Sequence, residues 1–146
     1  MIRKAKIKDI KQIQELIAVF AKQDVMLPRS LNELYENIRD FWVEEKKGKI
    51  AGCSALHISW DDLAEIKSLA VAKNYRGKGI GKELIEACLA EALNLGAKKI
   101  FVLTYKPEYF KKFGFKRVKH ASLPHKIWAE CINCCKFPNC QEIALL

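Results

Sequence analysis

Apolar residues recur at helical spacing between Asp9 and Lys22, where Ile10, Ile13, Ile17 and Phe20 form one stripe with Leu16 beside it. The pattern predicts an amphipathic helix, with Asp9 placed as its N-cap. Pro28 disfavours helix at Leu27. Ser30, with Glu33 three residues on, then reads as a capping box opening a second helix whose apolar face is Leu31, Leu34, Tyr35 and Ile38. A short edge strand over 1–5 precedes both. From Phe41 the period shortens to that of strands: Phe41–Glu45, a polar Lys-Lys-Gly turn, Ile50–Trp60, and a further strand carrying Leu63, Ile66, Leu69 and Val71. A long helix over Gly79–Leu95 stops at Gly96. KKIFVLTY is a continuous apolar strand of the kind buried on both faces. Pro107 opens a short helix, EYFKKF; GFKRVKH resumes extended chain, and EIALL supplies a last strand. The order β-α-α-β-β-β-α-β-α-β, its last strand being GFKRVKH, with EIALL as a further final strand, predicts an α/β protein with a mixed central sheet, antiparallel at its start, and helices on both faces. Repeats, low-complexity tracts and linkers are absent, so 1–146 is expected to be one domain, with a cysteine-rich tail from about 128.

Composition narrows the partners more than the fold. The net charge of +9 favours a polyanion, whether nucleic acid, anionic membrane or a nucleotide-like small molecule. The aromatic residues sit in apolar patterns instead of interleaving with Lys and Arg, and no nucleic-acid motif is present, which argues against nucleic acid. The N-terminus MIRKAKIKDIKQ lacks a signal-peptide core, and no apolar run approaches the ~18 residues of a membrane span. A cytoplasmic protein without membrane contact is expected.

The stretch YRGKGIG, Tyr75–Gly81, joins a strand to the long helix. A glycine-rich turn feeding a helix suits phosphate, because backbone amides at a helix N-terminus point at an anion. Spacing excludes two versions. The dinucleotide fingerprint would need glycine at Lys82 or Leu84, and the nucleotide P-loop would need glycine at Arg76 and Ser or Thr at Glu83. What fits is R-x-x-G-x-G, Arg76 through Gly79 to Gly81. With the preceding strand IKSLAV, the following helix, and EYFKKFGF downstream, the sequence resembles the GCN5-related N-acetyltransferases, the GNAT family, over about Met1 to Val118. The resemblance implies the GNAT fold and an acetyl-CoA donor. It places Arg76, Gly77, Lys78, Gly79, Ile80, Gly81 and Lys82 at the pyrophosphate, and the strand residues Leu69, Ala70 and Val71 along the pantetheine arm.

Within the family, LPRS, IAGCSAL, AEIKSLAV and YFKKFGF resemble bacterial N-acetylglutamate synthases and their short amino-acid acetyltransferase relatives. That implies acetyl transfer to the α-amine of an amino acid, glutamate first and glutamine next, at the entry to arginine biosynthesis. Full-length synthases of one class carry a kinase-like arginine-sensing domain. These residues hold no counterpart, so feedback by that route is not expected. Leu27 and Arg29 fall on the loop that borders the acceptor site in this fold, and the Arg29 fork suits a carboxylate. Lys67 is a second carboxylate candidate. By strand alternation it shares a face with Glu65 and Leu69. Thr104, at the end of the fifth strand, is placed with the acceptor. Each of these could equally be a solvated surface group. Glu65 is the candidate general base, since an α-ammonium must lose a proton before attack. The family's usual acid tyrosine, four residues before the glycine of GF, is Phe110 here. Tyr105 or water is left to protonate the thiolate. Acetylation of a protein N-terminus or another small amine stays open as an alternative, and a homodimer is compatible with the family.

Cys131, Cys134, Cys135 and Cys140 cluster in the tail with His120 and His125 nearby. Zinc, disulfides or free packed thiols all fit this spacing, and no metal ligand is assigned. Cys53 and Cys88 fall in strand and helix patterns and are expected in the core.

Overall fold

The computed structural model describes residues 1–116 and the backbone of 143–145. Its elements run β1 (Ile2–Lys4), α1 (Ile10–Lys22), α2 (Leu31–Glu36), β2 (Phe41–Lys46), β3 (Lys49–Trp60), β4 (Leu63–Val71), α3 (Ile80–Leu95), β5 (Lys99–Thr104), α4 (Pro107–Lys111) and β6 (Ile143–Leu145). Through α4 this is the order that the hydrophobic periodicity predicts; the strand expected over GFKRVKH falls mostly outside the described residues, and β6 stands where EIALL reads as a final strand. The strands lie in sequence order across one sheet, antiparallel throughout except for the parallel β4–β5 pair. The residues 117–142, with the cysteine cluster and both histidines, lie outside the described part, as does the zinc reading.

The two faces of the sheet bury separate cores. On one, Ile10, Ile13, Ile17 and Phe20 of α1 and Leu34 of α2 pack on Phe41, Val43, Cys53, Ala55 and Ala70. On the other, Ile85, Cys88 and Ala92 of α3 and Phe110 of α4 pack on Leu56, Ala64, Ile66 and Val102. Phe101 of β5 is fully buried, while Leu103 and Thr104 beyond it are half-exposed, so β5 is covered on both faces only in its middle. The β2–β3 hairpin turns on Lys47 and Gly48, both at positive φ (52° and 76°), the mirror-image turn that matches strand twist.

Two caps differ from expectation. Asp9 makes no side-chain cap on α1. Its carboxylate instead accepts from the Lys6 amide at 2.7 Å, closing a 3-10 turn over Ile7–Asp9, and from the Arg3 guanidinium at 2.8 and 3.1 Å. Ser30 does cap α2, accepting from the Glu33 amide at 3.1 Å, but the Glu33 carboxylate turns outward to Arg29, so the box is half made. Tyr35 is exposed, and α2 ends at Glu36, because Ile38 belongs to a separate 3-10 turn, Ile38–Asp40.

Asp9 is almost fully buried at 2% exposure and fastens β1 to the start of α1. Burial alone would raise its pKa, but the Arg3 fork and the Lys6 amide outweigh it, and the net shift is downward. A depressed carboxylate stabilises the fold above its ordinary value, near 4, and loses that contribution as pH falls through the folded value. Arg3→Ala, which strands the buried charge, should therefore cost about 3 kcal/mol in urea unfolding at pH 7. The difference from the parent should narrow below about pH 4. A loss under about 1 kcal/mol at neutral pH would show that the pair is merely superficial.

Candidate active site

The site is shaped by where β4 stops pairing. Its parallel ladder to β5 runs only from Leu63↔Lys99 to Glu65↔Phe101. Beyond that point, among the described residues, β4 continues to Val71 on β3 alone, while β5 turns to pair with β6 over Val102–Thr104. The edge of β4 from Ile66 onward therefore offers its backbone groups to a gap between diverging strands. A polar edge of this kind is a ready partner for an extended amide-bearing ligand.

A bulge sits at the same place. Ala55 faces Lys67 and Cys53 faces Ala70, so one residue of β3, Ser54, stands opposite two of β4, Ser68 and Leu69. Ser68 holds φ at +57°, a left-handed conformation that costs a non-glycine residue of the order of 1 kcal/mol or more. The bulge reverses which face the following side chains occupy. Ala64 and Ile66 point to α3 before it. Leu69 points to α3 after it, and Ala70 to α1. This corrects the face assigned to Leu69 by simple alternation. Glu65 and Lys67 face α1 and α2, whereas Leu69 is on the opposite side.

On that α1–α2 face, Arg29, Glu33, Leu34, Asn37, Asp40, Phe41, Lys67 and Ser68 line an open cleft of about 260 Å³. Two of the anticipated acceptor residues, Arg29 and Lys67, thus meet although 38 positions separate them in the chain. Arg29 gives one terminal nitrogen to Glu33 at 3.0 Å, but its Nε is buried and has no hydrogen-bond partner. Glu65 is also buried, at 5% exposure, one alternation along β4 from Lys67. Leu27 and Thr104 do not line the cleft. The Thr104 hydroxyl accepts from the Lys106 amide at 2.9 Å. Tyr105 follows the end of β5, outside the cleft lining.

Sequence reasoning missed the Asp40–His57 pair, in which His57 Nδ1 lies 2.6 Å from Asp40 Oδ2. Nothing local links a residue ending a 3-10 turn with one inside β3. Only the sheet register exposes the pair.

The glycine-rich loop stands at the other end of β4. A 3-10 turn, Lys73–Tyr75, leads into it, and Gly77 and Gly79 take φ of +77° and +80°. These left-handed residues aim the chain into α3, whose first amides have no acceptors within the helix. The loop's basic side chains lie mostly on the protein. Arg76 stacks 5.0 Å over the Phe20 ring, Lys78 5.5 Å over Tyr75, and exposed Lys82 pairs loosely with Glu86 at 3.9 Å. The Tyr109 hydroxyl stands directly against Gly81 and leaves no space for a side chain there. Burial pushes its pKa up, so it remains a proton donor at neutral pH. Cys53 and Cys88 are fully buried, as expected, and burial raises their thiols to about 12 and about 11. Neither can serve as a thiolate nucleophile.

The GNAT acetyltransferase family profile matches residues 7–115. This chain is a member of the GNAT family. It is 39% identical over 145 residues to an uncharacterized N-acetyltransferase of Chlorobaculum tepidum, covering 99% of this chain and 94% of that protein. To an amino-acid acetyltransferase of Mycobacterium tuberculosis it is 34% identical, covering 89% and 76%. Among solved structures, it superimposes on an N-acetylglutamate synthase of Neisseria gonorrhoeae, complexed with coenzyme A and N-acetyl-glutamate, with a TM-score of 0.91. Identity there is 28%, over 99% of this chain and 34% of the synthase. The protein is an acetyl-CoA-dependent N-acetyltransferase of the amino-acid acetyltransferase kind, and the GNAT fold expected from its sequence is the fold it has. Among the described residues, no helix is long and apolar enough to cross a membrane.

Gly79 gives the most direct test of the loop. Gly79→Ala should cost about 1–2 kcal/mol in chemical denaturation, the price of a left-handed alanine. A loss below a few tenths would mean that the turn relaxes into another shape.

Proposed function

We propose that the enzyme transfers acetyl from acetyl-CoA to the α-amine of L-glutamate. The observation that carries this reading is the buried, unpartnered Arg29 Nε in a cleft shared with Lys67. A buried donor without an acceptor costs about 1–3 kcal/mol, and a ligand carboxylate on the guanidinium edge recovers it. Among the described residues Lys67 forms no ion pair, so the cleft offers a second cation for a second carboxylate. An amino acid with two carboxylates uses both.

The chemistry assigned to the chain's own groups is direct transfer. Glu65, buried on the same face, takes a proton from the α-ammonium, directly or through water. The amine nitrogen attacks the thioester carbonyl, the C–S bond breaks, and CoA leaves as thiolate, to be protonated from Tyr105 or water. Leu69, Ala70 and Val71 hold the pantetheine arm along the open edge of β4. The Arg76–Lys82 loop, through Gly77, Lys78, Gly79, Ile80 and Gly81, cradles the pyrophosphate at the α3 N-terminus. The enzyme's relatives support the acceptor class: the gonococcal structure is a complex with N-acetyl-glutamate.

Release of free CoA from acetyl-CoA across the twenty amino acids decides the acceptor. Turnover with glutamate is expected, and turnover confined to glutamine, peptides or other amines would sink the glutamate reading. Arg29→Ala should raise the glutamate KM by roughly 10- to 100-fold, the worth of a charge-assisted bond, with little change in the acetyl-CoA KM. Equal effects on both would contradict its role. Glu65→Gln should lower kcat by about 10²–10⁴-fold, and an unchanged kcat would remove it as base.

A further inference from the structure

A base buried to 5% exposure must be emptied after every turnover. The proton it takes has to reach solvent, and Glu65 itself has almost no surface. The register of the β3–β4 ladder supplies a neighbour: His57 is the residue directly opposite Glu65. Opposed residues of an antiparallel pair hold their Cβ atoms about 4.5–5.5 Å apart on one face. That face is the acceptor side. Leu56, Ala64 and Ile66, the alternate positions of both strands, pack toward α3. His57 is therefore on the side of Ala55, Lys67 and the cleft.

His57 is also oriented. Its Nδ1 lies 2.6 Å from Oδ2 of Asp40, which itself lines the cleft. An ionised carboxylate only accepts, so Nδ1 carries the hydrogen and Nε2 is the basic nitrogen of the neutral ring. His57 and Asp40 are 29% and 24% exposed, enough to meet water. A partly exposed imidazole with a fixed tautomer thus lies across the ladder from a buried carboxylate.

We propose that Asp40 and His57 form the proton exit of this enzyme, a role that rests on Glu65 being its base. The α-ammonium proton passes to a Glu65 oxygen and from there to His57 Nε2. The imidazolium formed is held by Asp40 at Nδ1 and releases its proton to water. Glu65 returns as carboxylate and His57 as neutral imidazole, so no co-reactant is consumed. Among the described residues, the charged groups on this face are Asp40 from the 3-10 turn, Glu65 and Lys67 from β4, and Arg29 and Glu33 from the second helix and the loop before it. His57 is a positioning and relay residue and is not asked to touch the acceptor.

The test uses whichever acceptor the CoA-release panel identifies. His57→Ala should lower kcat about tenfold or more near pH 7 while leaving the acetyl-CoA KM unchanged. The deficit should shrink above pH 9, where hydroxide and the free amine bypass the relay. Added imidazole should restore rate to His57→Ala and not to Glu65→Gln. Asp40→Asn should lower kcat in the same direction with a shifted pH profile, its fold being checked by denaturation. A uniform loss at all pH values without imidazole rescue, or an unchanged kcat, would overturn the relay. If Glu65→Gln alone retains full activity, the base assignment fails first, and rescue of His57→Ala then has no carboxylate to drain.

Discussion

The parting of β4 from β5 after three residue pairs is the constraint on which the site depends. Parallel strands that stayed paired would seal every backbone group between them. Here the ladder ends at Glu65 and Phe101, and β5 finds a new antiparallel partner in β6. The edge of β4 that no described strand pairs then runs from the buried carboxylate at one end to the glycine loop at the other. A long, thin donor with amides in its middle and a pyrophosphate at one end is what such an edge can hold. The bulge at Ser68 cooperates with this opening. It pays a left-handed φ for one extra residue, and so turns Leu69 to α3 while Glu65 and Lys67 remain on the acceptor face.

Rigidity around this opening comes from two independent cores. The α1 stripe and the α3 stripe each bury against their own face of the sheet, so the central strands are clamped from both sides. Both cysteines in these cores are inert for the same reason that the cores are stable: burial makes a thiolate expensive. The polar groups that remain buried, Asp9 and Glu65 among them, have different fates. Asp9 is locked to Arg3 and the Lys6 amide and serves the fold. Glu65 lies on the same face of β4 as the cleft residue Lys67, and it is the base in the proposed reaction. Burial alone does not distinguish them; the surrounding charges and the open edge do.

Charge on the donor loop follows a similar division. The loop carries three basic residues, Arg76, Lys78 and Lys82. In the fold Arg76 and Lys78 rest on aromatic rings, and Lys82 faces Glu86. The amides at the start of α3 are instead ordered by glycines at positive φ, and in the proposed donor site they, not the lysines, face the pyrophosphate.

Much was legible in the sequence by itself. The 3.6-residue stripe of Ile10, Ile13, Ile17 and Phe20, the turn at Gly48, the stop at Gly96 and the R-x-x-G-x-G spacing fixed element order, fold and donor, because each is a short-range signal. What the chain could not announce depends on register. Whether Leu69 shares a face with Lys67 turns on one extra residue at Ser68, and strict alternation has no way to see it. Asp9 reads as a helix cap until Arg3, six residues away, is placed beside it. The shared cleft of Arg29 and Lys67, the orphaned Nε of Arg29, and the pairing of Asp40 with His57 opposite Glu65 exist only once elements from distant parts of the chain lie side by side. The proposed donor site is a local turn and is written in consecutive residues; the proposed acceptor site is an intersection of elements, and only tertiary packing decides its members.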